Sequence, residues 1–389
     1  MANVEVDASG LGIKPKVFRS GGKIARLQEV TRQFESGLLE PTKEVKVGDQ
    51  SRNEAVFTST TSKLAKHVDR VRLGREEGEW HPVNLQISPT DRCNLECNFC
   101  STWGRQGDEI PIYNLKKCID EFMEVGPLMS AEVTGGGDPT VYPDLEELIH
   151  HLGDNGLDIG MISNGLLMHR IDPRALERLT WVRVSLSYLD AKNYYGSEKD
   201  RGPKMVKDLK WPEFSDETTV GFSYVWTQAS SDRSVLDRIV ALRDRINPAY
   251  IRIVPNCQNP LEQEMFREKA APMIAEVLGK EAFSQTKDYG VHDTCRIGAL
   301  KPFLNSDGVL YHCSAVPLYK GYFTKPWDIG PMSEVKDIWP NNFPEMETSN
   351  CADGKCFYVA QNRVLDSSSK IDLTQDPTIH KDVPHWKFV

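Results

Sequence analysis

Residues 93–100 read CNLECNFC, three cysteines spaced C-x3-C-x2-C. Thiolates are ligands for zinc and for iron–sulfur clusters. A structural zinc site takes four protein ligands, and the surrounding SPTDRCNLECNFCSTWGR supplies no histidine. Either a fourth ligand comes from elsewhere in the chain, or one coordination position is left open. Ligand type and spacing together favour a cubane cluster over zinc. Three thiolates would then hold three irons and leave the fourth iron for a substrate or cofactor.

Four more cysteines, Cys295, Cys313, Cys351 and Cys356, lie near the C-terminus, the first two spaced C-x12-G-x4-C around Gly308. Four thiolates suit one fully ligated cluster or a structural zinc ion. Cys118 and Cys257 stand alone and read most simply as small core residues. Nine cysteines behind an N-terminus without an apolar leader argue for reduced thiols, not a disulfide framework. No apolar run approaches the roughly 18 residues of a membrane span. The expectation is a cytoplasmic protein without a membrane partner. A net charge of −9 gives no electrostatic case for nucleic acid.

The first cysteine loop follows a strand-like run, NLQIS (84–88), and strands then alternate with helices. SAEVTGG (130–136), LDIGMIS (157–163), WVRVSLSYL (181–189), TTVGFSYVWT (218–227) and AYIRIVP (249–255) read as strands. Amphipathic stretches at 115–125, after 143, at 173–179 and at 231–246 read as helices. Such alternation predicts an α/β fold, an open partial (β/α)6 barrel over residues 81–260 with parallel strands and right-handed crossovers. By analogy with full barrels, chemistry belongs at the strand C-terminal ends, where the cysteine loop leaves. Residues 1–80 form a mostly helical or loop N-terminal extension, with helices expected at 23–38 and 62–73. Residues 261–365 comprise a linker helix (about 261–283) and the small irregular cysteine-rich domain. Residues 366–389 open on polar sequence and read as a surface tail.

C-x3-C-x-aromatic-C after the first strand of such a barrel resembles the radical S-adenosylmethionine (SAM) superfamily. The resemblance implies a [4Fe–4S] cluster on Cys93, Cys97 and Cys100, with SAM on the open iron and Phe99 beside the adenine. It further implies that TGGGDP (134–139), with Gly135, Gly136, Gly137 and Asp138, receives the SAM ammonium, and that Asn164 faces the ribose or substrate. Ser185 and Arg201 correspond to residues contacting the SAM ribose and carboxylate, and Val254, next to Ile253, to one flanking adenine. Asp138 stands where the family usually has glutamate. The later cysteines resemble a Twitch-like domain of the SPASM/Twitch type, which implies an auxiliary iron–sulfur cluster, expected as [4Fe–4S].

These features imply reductive cleavage of SAM to a 5′-deoxyadenosyl radical that abstracts hydrogen from a polar substrate, with oxidation or rearrangement of a small molecule favoured. The alternatives are modification of a ribosomal peptide, modification of a nucleoside or nucleic-acid base, and a non-enzymatic iron–sulfur or zinc module. A one-electron reductant such as flavodoxin or ferredoxin is the implied partner. Tyr188, Asp190, Tyr224, Trp226, Gln228 and Arg252, near the ends of later strands, are candidates to face substrate. Of these, Asp190, Tyr188 and Arg252 are the catalytic candidates, with Asp190 as a possible base.

Overall fold

A computed structural model describes residues 54, 56–102, 105–190, 206–227, 231–256, 260–286, 290, 292–318, 328–347, 351, 356–367 and 384–389. The helix expected at 23–38, Cys257, Arg201 and Gln228 lie outside them. The helix expected at 62–73 is present as Thr61–Leu64, a 3-10 turn, and α1 (Val68–Glu76).

The six expected strands form and pair in parallel: β1 (Asn84–Ile87), β2 (Ser130–Val133), β3 (Asp158–Ser163), β4 (Trp181–Ser185), β5 (Thr219–Trp226) and β6 (Tyr250–Pro255). Between them run α2 (Ile112–Val125), α3 (Leu145–Asp154), α4 (Pro173–Leu176) and α5 (Arg233–Ile246). Each long helix buries a stripe at helical spacing: Leu115, Cys118, Ile119 and Phe122 in α2, and Val235, Leu236, Ile239 and Leu242 in α5. One parity of each strand meets this helical layer. Leu85, Ile87, Ala131, Val133, Ile159, Met161, Val182, Val184, Ile251 and Ile253 are all 0% exposed. Asp172 and Asp232 start their helices by accepting from the backbone of Arg174 and Ser234.

Three expectations are corrected. The linker helix stops with α6 (Ala271–Leu278), and β7 (Ala282–Ser284) adds a seventh parallel strand beside β6. Three residues, Ala-Phe-Ser, are too few to show a period.

The cysteine-rich segment does not fold apart from the barrel sheet. It carries β8 (Thr294–Cys295), β9 (Phe303–Leu304), β10 (Val309–Tyr311) and β11 (Asp328–Pro331). β9 pairs parallel to β1, and β10 and β11 continue the sheet antiparallel, giving ten strands in the order β11-β10-β9-β1-β2-β3-β4-β5-β6-β7. β8 pairs instead with β12 (Met346–Glu347).

Finally, residues 384–389 are not a surface tail. Phe388 and Val389 are buried, and Phe388 meets Trp181 edge-on. Ser130 Oγ donates to the Lys387 carbonyl at 2.7 Å, and Lys387 pairs with Asp158 at 2.8 Å. These contacts fall on the N-terminal ends of β2, β3 and β4, opposite the cysteine loop. Apolar Trp386, Phe388 and Val389 at the end of a polar stretch account for the burial.

Candidate active site

The loop after β1 is closed on itself before it reaches the cysteines. Asp91 N donates to the Asp108 carbonyl and Ile110 N to that of Pro89, so the outgoing and returning chains pair. An Arg92–Glu109 ion pair and a Gln106 N to Asp91 Oδ2 bond of 2.9 Å lock the crossing. Within the loop Cys100 N donates to the Cys97 carbonyl, and Leu95 is buried as an anchor. Arg105 donates one Nη to the Leu95 carbonyl at 3.1 Å and the other to Cys100 Sγ at 2.9 Å. Thr102 Oγ1 lies 3.2 Å from the same sulfur and donates to the Gly136 carbonyl at 2.7 Å.

Cys93, Cys97 and Cys100 are all partly exposed. Burial, then the Asp138 carboxylate, pushes the Cys93 thiol up to about 11. Burial, then Cys100 and Cys93, pushes Cys97 up to about 12. As free thiols Cys93 and Cys97 keep their protons near neutrality, and a bound cation would hold them as thiolates.

The glycine-rich loop is the second wall. Gly137 N donates to the Thr90 carbonyl and Asp138 N to that of Arg92. A Cβ on Gly137 would stand 1.9 Å from the Arg92 carbonyl oxygen, so only glycine admits this approach. The close contact at Gly137 is thus with the backbone entering the cysteine loop. Gly136 N donates to Ser88 Oγ at 2.9 Å, and a Cβ on Gly135 would meet that same oxygen at 3.0 Å.

Asp138 is 3% exposed and its carboxylate is heavily engaged. It accepts from Thr140 N and Thr140 Oγ1, from Ser163 Oγ on both oxygens, and from Asn164 N at 2.6 Å. Asn164 Nδ2 in turn donates to Asn94 Oδ1 at 2.7 Å, inside the cysteine loop. Asp138 and Asn164 therefore tie the ends of β2 and β3 to the cysteines.

Ser185, Phe99 and Val254 are half-buried, and Ser185 Oγ lies 3.0 Å from Ser187 Oγ. Among the substrate-facing candidates, strand parity decides. Tyr188 is wholly buried in core packing, its hydroxyl without a hydrogen bond among the described residues, which removes it from the accessible set. Tyr224 and Trp226 are also buried and stand on the opposite parity of β5 from Thr219, which lines a cavity. Tyr224 Oη still reaches Asp190 Oδ2 at 3.3 Å and Ser231 Oγ at 2.8 Å. Asp190 is 3% exposed. Arg252 does face the cavity, with Nε donating to Gln285 at 2.6 Å and Nη1 to Ser223 Oγ at 3.3 Å.

That cavity, about 140 Å³, lies towards the N-terminal ends of the strands, where Trp181, Thr219 and Tyr250 and the C-terminal His385 and Phe388 help to line it. Gln86, Glu132, Arg183 and Arg252, third residues of β1, β2, β4 and β6, line it together with Lys63 and Lys301. The sequence reading passed over all but Arg252. The signal was the polar third residue repeated in NLQI, SAEV, WVRV and YIRI. Gln86 and Glu132 lie one residue, Arg183 two and Arg252 three before the C-terminal ends of their strands.

The four later cysteines converge. Cys295, Cys351 and Cys356 are buried and Cys313 is partly exposed. The pairing of β8 with β12 fixes Cys295, and Cys356 N donates to the Gly290 carbonyl at 3.2 Å. Burial, then Cys313 and Cys356, raises the Cys295 thiol. A hydrogen bond between Cys351 and Cys356 raises the former and lowers the latter. Among the described residues no three Cys, His, Asp or Glu side chains already stand in metal-ligand geometry, so both sets gather donors without closing them. Donors that are all sulfur, in mutual electrostatic reach, fit iron–sulfur clusters by their chemistry.

Comparison with known proteins agrees with this geometry. Residues 87–202 match the family profile of the Radical SAM superfamily. That segment of the chain is similar to the radical SAM superfamily. The match points to a [4Fe–4S] cluster and SAM as cofactors.

The chain is 29% identical over 140 residues to GTP 3',8-cyclase 1 of Mycobacterium tuberculosis, covering 33% of this chain and 38% of that protein. It therefore spans little more than a third of the length of the first relatives it matches. A probable GTP 3',8-cyclase of Methanococcus maripaludis is 25% identical over 255 residues, 61% of this chain and 83% of that one. Among solved structures, Streptococcus suis SuiB bound to S-adenosylmethionine superposes with a TM-score of 0.50 at 15% identity, over 81% of this chain and 76% of that one. That likeness supports the partial-barrel fold. Among the described residues no helix is long and apolar enough to cross a membrane.

Proposed function

We propose that Cys93, Cys97 and Cys100 hold the [4Fe–4S] cluster, and that the enzyme abstracts a hydrogen atom from a small polar molecule held at the C-terminal ends of the strands. When bound, the reduced cluster and SAM supply the 5′-deoxyadenosyl radical. The observation that carries this reading is the gathering of three thiols in the loop that leaves the C-terminal end of β1, tied to the loops after β2 and β3. Arg105 and Thr102 hold Cys100 Sγ in place. Asp138 and Asn164 keep the loops after β2 and β3 against the cysteines.

Phe99, Ser185, Val254, Arg201 and the glycines 135–137 remain candidates to touch SAM. With Asp138 engaged by four donor groups, the SAM ammonium is better assigned to backbone carbonyls of the glycine loop. Should the reaction need a base, Asp190 is the candidate, its proton passing through Tyr224 to Ser231.

Cys295, Cys313, Cys351 and Cys356 are assigned to a fully ligated auxiliary cluster suited to electron transfer, and a flavodoxin or ferredoxin would be the reductant. Iron and sulfide counting tests this: about eight irons per chain support two cubanes, and about four with zinc overturn the second. The net reaction is assigned as oxidation or rearrangement. A nucleotide substrate is the second reading, favoured by the named activity of the GTP 3',8-cyclases aligned above.

Reduced, anaerobically reconstituted protein incubated with SAM should release 5′-deoxyadenosine, faster with a true substrate. Guanosine nucleotides, small cyclic alcohols and peptides are the panel to compare. Absence of 5′-deoxyadenosine under well-reduced conditions overturns the reading.

A further inference from the structure

We propose that the cavity towards the N-terminal ends of the strands binds a small oxyanion, carboxylate or phosphate, against Lys63, with a donor group of the same molecule on Gln86 Oε1. This goes beyond the preceding reading, because the cavity lies towards the strand ends opposite the cysteine loop. Its test needs no SAM cleavage, so the two can fail separately.

Lys63 is 2% exposed, and its ammonium makes no hydrogen bond or ion pair among the described residues. Gln86 Oε1 is buried and likewise without a partner. One unspent donor and one unspent acceptor thus line the same cavity. Buried polar groups are otherwise satisfied as a rule, and a lone buried ammonium is costly.

The surrounding charge selects the sign of the ligand. Arg183, Arg252 and Lys301 share the lining with Lys63, and Glu132 is the carboxylate that faces them, 3.5 Å from Lys301. Arg183 is already spent on Tyr250 Oη and the Phe57 carbonyl, and Arg252 on Gln285 and Ser223. Lys63 is the cation left to take a new partner. Burial, then Lys301 and Arg183, pushes its ammonium down to about 7, with Glu132 opposing and His385 close enough to feel it. An anion seated there would restore the protonated form, so binding takes up a proton above that pH.

Full-length reconstituted protein is titrated calorimetrically at pH 8 with inorganic phosphate, pyrophosphate and succinate, at ionic strength fixed with sodium chloride. Saturable binding of at least one is expected. Its heat should depend on buffer ionisation enthalpy, reporting proton uptake. Lys63→Met should weaken it at least tenfold, Lys63→Arg should restore most of it, and Lys116→Met, a surface control, should leave it unchanged. Preference for the phosphates assigns a phosphate, and preference for succinate a carboxylate. No saturable binding, binding that chloride abolishes as an adventitious ion only, or binding indifferent to both Lys63 variants overturns the proposal. If Lys63→Met fails to fold, the Lys63→Arg affinity and the wild-type proton uptake still decide.

Discussion

Gly137→Ala probes the contact on which the cysteine loop rests. The new Cβ would lie 1.9 Å from the Arg92 carbonyl oxygen and 2.6 Å from the carbonyl carbons of Arg92 and Asp91, where ordinary contacts begin at 3.4 Å. Every obstructing atom is backbone, so no side chain can swing aside. Relief requires the glycine loop to withdraw by about 1.5 Å, the gap between 3.4 and 1.9 Å. That movement breaks Gly137 N to Thr90 O and Asp138 N to Arg92 O. Overpacking costs about 1–3 kcal/mol and each lost bond about 0.5–1.5 kcal/mol, for a total of about 2–6 kcal/mol.

Part of this cost can be met locally by releasing the cysteine loop. Two readings are therefore needed, the urea midpoint of the apoprotein and iron retained per chain after reconstitution. We expect both to fall. Gly156→Ala is the control: its Cβ meets nothing within 4 Å, and its φ of +76° costs only about 1–2 kcal/mol with no effect on iron. A Gly137→Ala protein matching wild type in both readings would refute the packing argument.

Asp138→Ala should cost at least about 1–3 kcal/mol in urea, because it strands buried donors from Ser163, Asn164 and Thr140. Asp138→Glu should not fully rescue it, since the longer side chain misplaces the oxygen that caps Thr140. Phe388→Ala should cost about 3–5 kcal/mol and lower Tm, by emptying a buried site against Trp181. Burial pushes His67 and His385 down to about 4 from an ordinary 6.5. The unfolded chain then binds more protons between those values, so stability is full above pH 6.5 and declines as pH falls towards 4. Urea midpoints against pH should show that slope, and His67→Asn or His385→Gln should flatten it.

The parallel strands β1–β6 were legible because each is a short apolar run bounded by turns and separated by a helix with period 3.6. The pairing of β9 with β1 was not, since two residues carry no pattern and their partner lies more than 200 positions away. Cys93, Cys97 and Cys100 were legible because metal-binding chemistry imposes local spacing. Tyr188, Tyr224 and Trp226 misled because position near a strand end does not state which face a side chain takes. A shift of one residue exchanges cavity for core. The cavity lining was written in the alternate polar residues Gln86, Glu132, Arg183 and Arg252. Its partner Lys63, on a helix about twenty residues before β1, became visible only when the chain was folded.

The central claim is that Cys93, Cys97 and Cys100 make the radical. Anaerobically reconstituted, dithionite-reduced wild type and Cys97→Ala are incubated with SAM, and 5′-deoxyadenosine is quantified by chromatography. The account predicts steady formation by wild type and none by Cys97→Ala, with the iron assigned to the four later cysteines retained. Equal formation by both proteins, or none by well-reduced wild type carrying its full iron, would contradict it.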